Sequence, residues 1–216
     1  MKLFVWDLHG TLEQGNEDAA IEVSNMALAQ SGYRQRFRPE DSRRLYGLKW
    51  YQYFEWLLPD EPYETHVALQ SASFALSDAH PEVIARYMRP AGHAHAALQA
   101  IHESLHRQIL ISNTKPTSVP AYLAALEMTH FFGADNAFSV NAHAREARRN
   151  KEDVLEEFLR GKRFDKVIVI GDSGTDLRLA KAHNATAYLY AHPGYDFRAE
   201  GGDFRIHDLR TVLREI

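Results

Sequence analysis

The sequence predicts an α/β protein with a doubly wound parallel sheet and a long helical insertion after the first strand. Three observations lead to this prediction: short apolar runs that end in polar loops, helical patterns between those runs, and an early stretch without clear strand signals. Fully apolar strands are typical of parallel sheets that helices cover on both faces. Alternation of such strands with helices indicates a doubly wound sheet.

The strand signals are short apolar runs, each bounded by polar residues. Five runs qualify, the last two more weakly: 3–6, 109–111, 167–170, 137–140 and 187–190. The three strong runs are followed at once, or after a single glycine, by Asp7, Ser112 and Asp172. Ligands of doubly wound sheets bind beyond the carboxyl ends of the strands. We therefore expect these three polar residues to face a common site.

The stretch from residue 13 to residue 90 has a different pattern. It contains helix-compatible segments, such as 17–30 and 51–58, and helix-breaking prolines separate them. We therefore predict two structural parts, a core formed by residues 1–12 and 91–216 and a helical part formed by residues 13–90.

The composition excludes several classes of function. The chain has 216 residues and no cysteine, which excludes thiol nucleophiles, cysteine-ligated metals and disulfide scaffolds. Its 25 Lys and Arg residues against 29 Asp and Glu residues give a net charge of −4, so no basic bias favours nucleic acid. Its apolar runs are too short for a membrane span or a signal-peptide core. We expect a soluble cytoplasmic protein without nucleic-acid or membrane partners.

Four motifs carry the candidate chemistry. In chain order they are Asp7-x-x-Gly10-Thr11-Leu12, Ser112-Asn113, Lys151 and Gly171-Asp172-Ser173-x-x-Asp176. This set resembles the haloacid dehalogenase-like (HAD) hydrolase superfamily, and residues 13–90 stand where that family has a helical cap. The resemblance implies a Rossmann-like core with an inserted α-helical cap. It also implies Mg²⁺-dependent hydrolysis of a small phosphorylated metabolite through an aspartyl-phosphate intermediate.

The resemblance implies a role for each motif residue. Asp7 matches the nucleophile, because a carboxylate can attack phosphorus and form an acyl phosphate that water then hydrolyses. Ser112, with Asn113, would bind the phosphate, and Lys151 would pair with both the phosphate and Asp7. The implied Mg²⁺ ligands are Asp7, the backbone carbonyl of His9, Asp172 and Asp176, the last either directly or through a metal-bound water.

Some of these residues also have a purely structural interpretation. Asp172 and Asp176 could cap the helix that follows them. Lys162 and Lys166 lie near Lys151 in the sequence and compete with it for the role of the active-site lysine. The presence of all four motifs in the same order favours the functional interpretation over chance agreement.

His9 is the main departure from the family pattern. Most phosphatases of the family carry a second aspartate two residues after the nucleophile, and it protonates the leaving alcohol. Imidazole has an ordinary pKa of about 6.5 and can donate or accept a proton near neutral pH. His9 is therefore a candidate catalytic acid, and the alternative is that it only packs or binds substrate.

Lys49 supports a second hypothesis about the reaction. It is the only lysine between Glu13 and Pro90, and Gly47 resembles part of the family's cap specificity loop. The related phosphonoacetaldehyde hydrolases use a cap lysine as a Schiff base, and a lysine in an apolar pocket has a lowered pKa and becomes nucleophilic. A C–P bond hydrolase is thus one alternative, and a non-catalytic phosphate-ligand-binding protein is another.

Overall fold

The computed structural model describes residues 1–140 and 149–216. Its strands, in chain order, are β1 (Lys2–Trp6), β2 (Glu13–Gln14), β3 (Arg89–Pro90), β4 (Arg107–Ser112), β5 (Ala137–Ser139), β6 (Lys166–Gly171), β7 (Thr186–Tyr190) and β8 (Phe204–Ile206).

Nine α-helices and one 3₁₀ helix belong to the described residues. The α-helices are α1 (Asn16–Gln30), α2 (Asp41–Leu45), α3 (Trp50–Leu57), α4 (Tyr63–Ala79), α5 (Pro81–Tyr87), α6 (Ala94–His102), α7 (Val119–Ala125), α8 (Lys151–Leu159) and α9 (Gly174–Ala182). The 3₁₀ helix is Leu209–Glu215. In the described part of the chain, no helix combines the length and hydropathy that crossing a membrane requires.

Six strands form one parallel sheet in the order β5-β4-β1-β6-β7-β8. One face packs against α8 and α9 in a core of Leu3, Val5, Ile109, Ile111, Val154, Leu155, Val169, Leu179 and Ala180. On the other face, Gln108 of β4 donates a hydrogen bond to the Leu98 carbonyl of α6 at 3.1 Å. Helices therefore cover both faces of the sheet, which explains the fully apolar strands and confirms the predicted fold class.

The five predicted strands are present, each within one or two residues of its expected ends. The sequence did not predict β8, whose three residues form no apolar run. Its pairing with β7, Tyr188 opposite Phe204 to Tyr190 opposite Ile206, is a tertiary contact that local pattern does not encode.

The chain divides into two compact units, residues 1–14 with 89–216, and residues 15–88. The predicted limits, 13 and 90, differ from these by two residues at each end. The difference arises because β2 and β3 pair with each other as an antiparallel ribbon that belongs to the first unit. The second unit is helical, with its own apolar core of Ile21, Ala27, Leu28, Phe37, Leu45, Tyr53, Phe54, Leu58 and Leu69.

Candidate functional site

The carboxyl ends of β1, β4 and β6 bring three motif residues to one edge of the sheet. β1 lies between β4 and β6, so Asp7, Ser112 and Asp172 stand at the ends of neighbouring strands. All three are buried. The backbone N–H of Asp7 donates to the Ile170 carbonyl at 2.9 Å and extends the pairing of β1 with β6 by one residue.

Three aspartates form an acidic cluster at this edge. One carboxylate oxygen from each of Asp7, Asp172 and Asp176 lies within 4.8 Å of the other two. In the described ranges, no other group of three or more His, Cys, Asp or Glu side chains is close enough to hold a metal ion. The cluster is buried, so its charges interact more strongly than they would in water.

Lys151 lies against this cluster as a counter-ion. It is the first residue of α8, and the Asn150 side chain caps that helix by accepting a hydrogen bond from the Asp153 N–H at 2.8 Å. The Lys151 Nζ lies 2.7 Å from Oδ1 of Asp7 and 2.7 Å from Oδ1 of Asp176. Its side chain has no exposed surface. The position of Lys151 at the start of α8 thus places one fully buried cation in contact with two carboxylates.

The two lysines that compete with it in the sequence lie elsewhere. Lys162 is exposed and donates from Nζ to the Phe158 carbonyl at 2.6 Å. Lys166, at the amino end of β6, pairs with the Glu215 carboxylate at 2.8 Å. Of the three candidates, the structure brings only Lys151 to the aspartates.

Asp176 caps α9 and contacts Lys151 at the same time. Its Oδ2 accepts hydrogen bonds from the Ser173 N–H at 3.1 Å and from the Ser173 hydroxyl at 2.7 Å, while Oδ1 accepts from Lys151. The capping and functional interpretations are therefore both compatible with its position. Each carboxylate oxygen has a second lone pair, so these hydrogen bonds leave Asp176 able to ligate a metal ion or to orient a metal-bound water.

Gly171 is required by this arrangement. A Cβ atom at this position would overlap the Asp176 side chain, including its Cγ. We expect Gly171→Ala to displace Asp176 and to lower the free energy of unfolding by about 1–3 kcal/mol, the usual effect of overpacking. Urea unfolding measures this loss, and Gly174→Ala, where an added Cβ meets only the far end of Arg178, is the matched control. Equal stability of the two variants would contradict the expectation.

Burial and neighbouring carboxylates raise the pKa values of two of the aspartates, Asp172 and Asp7. Burial raises the pKa of Asp172 to about 7, with Asp7 and Asp176 raising it and Arg198 opposing. Burial also raises the pKa of Asp7, although Lys151 acts in the opposite direction. For Lys151, burial acts to lower the pKa, but the charges of Asp176 and Asp7 outweigh it and the pKa is raised. The raised pKa values mean that Asp7 and Asp172 hold protons more tightly than ordinary aspartates.

Arg198 is a contact of the cluster that the sequence did not reveal. Its guanidinium pairs with Oδ2 of Asp172 from the loop between β7 and β8. That loop has no motif, so no sequence signal could have identified the residue. Two cations, Lys151 and Arg198, thus contact the three carboxylates of the cluster.

This charge and donor set fit a divalent cation. Burial first, and then the neighbouring Asp7 and Asp176, raise the pKa of Asp172, and a divalent cation would favour its ionised form. Carboxylate and carbonyl oxygens are the ligands that Mg²⁺ prefers, and the cluster offers no sulfur ligand. Asp7, Asp172, Asp176 and the backbone carbonyl of His9 are the residues that could hold it.

His9 lies two residues beyond Asp7 and forms a pair with Glu13. Its Nδ1 lies 2.8 Å from Oε1 of Glu13, and its ring meets Tyr122 edge-on with centroids 5.3 Å apart. Burial acts to lower the pKa of His9, but the hydrogen bond and charge of Glu13 outweigh it, so the pKa is raised. Sequence reasoning missed Glu13, although its spacing of four residues from His9 was visible.

Ser112 and Asn113 are at the end of β4. The Ser112 hydroxyl oxygen accepts a hydrogen bond from the Thr114 N–H at 3.3 Å, which leaves its O–H free to donate to an anion. Asn113 follows it and is half-buried.

Gly47 and Lys49 belong to the helical unit of residues 15–88. Gly47 is exposed, with a backbone φ of 84°, and Lys49 precedes α3. The Lys49 backbone N–H donates to Oε1 of Gln52 at 2.8 Å, and its side chain is exposed. The Schiff-base hypothesis for Lys49 stays an alternative prediction.

Comparison with known structures yields the same fold. A predicted phosphoglycolate phosphatase from Haemophilus somnus 129PT aligns with a TM-score of 0.75 and 15% identity, over 100% of this chain and 97% of its own. A haloacid dehalogenase-like family hydrolase from Streptococcus pneumoniae aligns with a TM-score of 0.72 and 17% identity, over 99% and 97%. At these identities the similarity shows the fold alone. No curated protein matches the sequence.

The sequence itself matches a family model. Residues 1–184 match the model of the haloacid dehalogenase-like hydrolases. This range includes all four motifs and every aspartate of the buried cluster. The chain therefore belongs to the haloacid dehalogenase-like hydrolase family, and it is a hydrolase.

Proposed function

We propose that the protein is a Mg²⁺-dependent phosphatase that hydrolyses small phosphate monoesters through an aspartyl-phosphate on Asp7. The observation that carries this proposal is the buried Asp7 carboxylate, held at 2.7 Å by Lys151 beside Asp172 and Asp176. By analogy with the Haemophilus protein of the same fold, which is named a predicted phosphoglycolate phosphatase, we propose a small phosphorylated metabolite as the substrate.

The first half-reaction transfers the phosphoryl group to the protein. The Asp7 carboxylate attacks phosphorus through the oxygen that does not contact Lys151, the P–O bond to the alcohol breaks, and the leaving oxygen takes a proton. Lys151 offsets the repulsion between the carboxylate and the phosphate, and the Ser112 O–H donates to a phosphate oxygen. When bound, Mg²⁺ supplies charge neutralisation at the phosphate oxygens.

The second half-reaction restores the carboxylate. Water attacks the phosphorus of the aspartyl-phosphate, the P–O bond to Asp7 breaks, and inorganic phosphate leaves. A base must take the proton from water, and His9 is the nearby group of suitable chemistry. The helical unit of residues 15–88 is the proposed cap, and the residues that choose among leaving groups would belong to it.

Phosphate release from a panel of small phosphoesters tests this function. We expect release from several esters with Mg²⁺, loss of release with EDTA, and recovery when Mg²⁺ is returned in excess. Release that is insensitive to EDTA would contradict the metal dependence. Binding of Mg²⁺ without release from any ester would favour the non-catalytic alternative. Trapping of a phosphonate substrate by borohydride at Lys49 would favour the C–P hydrolase.

Mg²⁺ binding should depend on pH, because Asp172 must be deprotonated to ligate the metal. Its pKa of about 7 lies above the ordinary value of 3.8, so the folded metal-free protein binds a proton here that the unfolded chain releases. The free energy of unfolding of the metal-free protein therefore decreases as the pH rises through about 7 and Asp172 loses its proton. Mg²⁺ can then bind in place of that proton. We expect Mg²⁺ affinity to fall about tenfold per pH unit below about pH 7.

Isothermal titration of Mg²⁺ in two buffers of different ionisation enthalpy measures this proton release directly. The thermal shift by Mg²⁺ should be larger at about pH 8 than at about pH 6, because a ligand stabilises according to its affinity. Asp172→Asn, which has no such proton, should bind weakly and without this pH dependence. A wild-type affinity that is constant over this range would contradict the expectation.

A further inference from the structure

We propose that Glu13 is a positioning residue for leaving-group protonation: it holds the His9 imidazole by Nδ1 and leaves Nε2 for the leaving oxygen. This inference rests on the proposed phosphatase function. Glu13 lies outside the family motif, and it contacts His9, the residue that stands in this chain where the family usually has its second aspartate. The observation behind it is the His9 Nδ1 to Glu13 Oε1 distance of 2.8 Å.

Glu13 is built as a fixed acceptor. Its side chain is only 1% exposed, and the same Oε1 accepts a hydrogen bond from the Gly10 N–H at 3.3 Å. Its own backbone N–H donates to the Leu8 carbonyl at 3.2 Å, and its strand pairs with Pro90. Hydrogen bonds to the backbone of Glu13 and to its carboxylate therefore fix this residue. The carboxylate cannot rotate away from His9 without losing buried hydrogen bonds.

The chemistry of the pair determines which ring nitrogen is available. In the proposed pair the Glu13 carboxylate is the acceptor, as it is for the Gly10 N–H, and the Nδ1 of His9 is the donor that carries the proton. The His9 side chain is 29% exposed whereas Glu13 is buried, so the pair has one enclosed end and one accessible end. Nε2 is the nitrogen that remains for substrate. The hydrogen bond at Nδ1 and the edge-on contact with Tyr122 restrict the orientation of the His9 ring.

The Nε2 of His9 gives up one proton in the first half-reaction and regains one in the second. The proton on Nε2 passes to the leaving oxygen as the P–O bond breaks, and the electron pair of that bond stays with the alcohol. Nδ1–H stays with Glu13 throughout. When water attacks the aspartyl-phosphate, its proton passes to Nε2, which restores the starting state of the ring.

Leaving-group dependence tests the proposal at a single pH. An aryl ester such as p-nitrophenyl phosphate has a good leaving group that needs little protonation, whereas an alkyl phosphate needs a proton. We expect Glu13→Gln to lower kcat on the best alkyl ester by about 10–100-fold, within the usual contribution of a catalytic acid. The rate on p-nitrophenyl phosphate should fall by less than about threefold.

The matched control is Glu17→Gln, which makes the same change at a buried glutamate that contacts the Gly15 N–H. It should shift both esters in equal proportion. An equal loss on both esters in Glu13→Gln, or no loss on either, would overturn the proposal. Adding His9→Ala to Glu13→Gln should cost little further on the alkyl ester, since the two residues act as one unit.

A spectroscopic measurement on the folded wild type is independent of turnover. In ¹⁵N-labelled protein, the His9 ring resonances are those missing from His9→Gln, and we expect them to show a protonated Nδ1. A neutral ring protonated only at Nε2 would overturn the proposal even if every variant were inactive. If wild type releases no phosphate from any ester, the proposed function fails. If wild type is active but Glu13→Gln shows no difference between the alkyl and aryl esters, only the proposed role of Glu13 is rejected.

Discussion

Replacing Asp7 by asparagine should abolish phosphate release and leave the protein folded. The amide has nearly the shape of the carboxylate but is a poor nucleophile and cannot form the acyl phosphate, so we expect a loss of at least about 10³-fold in kcat. Lys151 would keep its contact with Asp176 at 2.7 Å. The variant therefore tests the chemistry of Asp7 with little change in packing.

The direction in which Asp7→Asn changes the stability of the protein can be predicted. Burial raises the pKa of Asp7 above its ordinary value, so its ionised form costs folding free energy, and that cost grows as the pH rises through the raised pKa. Asparagine removes the charge. We expect metal-free Asp7→Asn to be at least as resistant to urea as wild type at about pH 8, and relatively less so at about pH 5.

Asp165→Asn is the control for this experiment. Asp165 is exposed and pairs with the N-terminal ammonium group, at the opposite end of the strands from the cluster. Its replacement should leave the rate unchanged. Retention of more than about a tenth of the wild-type kcat by folded Asp7→Asn would reject the aspartyl-phosphate route.

The fold could be predicted because the central strands carry their own signal. β1, β4 and β6 are enclosed on both faces, so their central residues, 3–6, 109–111 and 167–170, are apolar, and the chain turns polar where each strand ends. β8 is different. It is an edge strand of three residues that is only partly buried, and its existence depends on contacts with β7 that are distant in sequence.

The boundary of the helical unit shows a similar limit. Glu13 and Gln14 look like the start of a helical region by composition, but they pair with Arg89 and Pro90, some seventy-five residues away. A two-residue ribbon has too few residues to show a period-two pattern. Only the folded chain reveals which residues close it.

The candidate site divides in the same way. Residues that follow strands or cap helices, such as Asp7, Asp172 and Lys151, could be proposed from local pattern because the local structure positions them. Glu13 and Arg198 could not, since a short ribbon and an irregular loop bring them to His9 and Asp172. The roles of Asp7, Asp172, Lys151 and Glu13 are predictions that the proposed variants test.

Replacing Lys151 by methionine should be both destabilising and inactivating. Methionine preserves most of the side-chain volume but leaves the Asp7 and Asp176 carboxylates, each 2.7 Å from Nζ in wild type, without their shared cation. Removing one partner of a buried ion pair typically costs about 3–5 kcal/mol. Lys162→Met makes the same substitution at an exposed lysine of the same region and should change neither property measurably.

The pH dependence distinguishes an electrostatic role from a packing role. The pKa of Lys151 is raised, so its stabilising effect is fully present below the unfolded value of about 10.5 and is lost only as the pH rises above it. In Lys151→Met the Asp7 carboxylate has lost this cation, and taking up a proton removes the free-energy cost of its buried charge. The loss of stability should therefore be smaller at about pH 5.5 than at about pH 8. Equal losses at both pH values in urea unfolding would indicate that Lys151 only fills space.

A double-variant cycle gives the sharper test. If Lys151 stabilises the fold by neutralising Asp7, then Asp7→Asn should restore part of the stability lost in Lys151→Met, since it removes a charge that has no partner. Coupling between contacting charges of this kind usually amounts to about 0.5–3 kcal/mol. Activity should not return in the double variant, because the nucleophile is also gone. Recovery of stability without recovery of activity would separate the structural role of this lysine from its catalytic one within a single set of proteins.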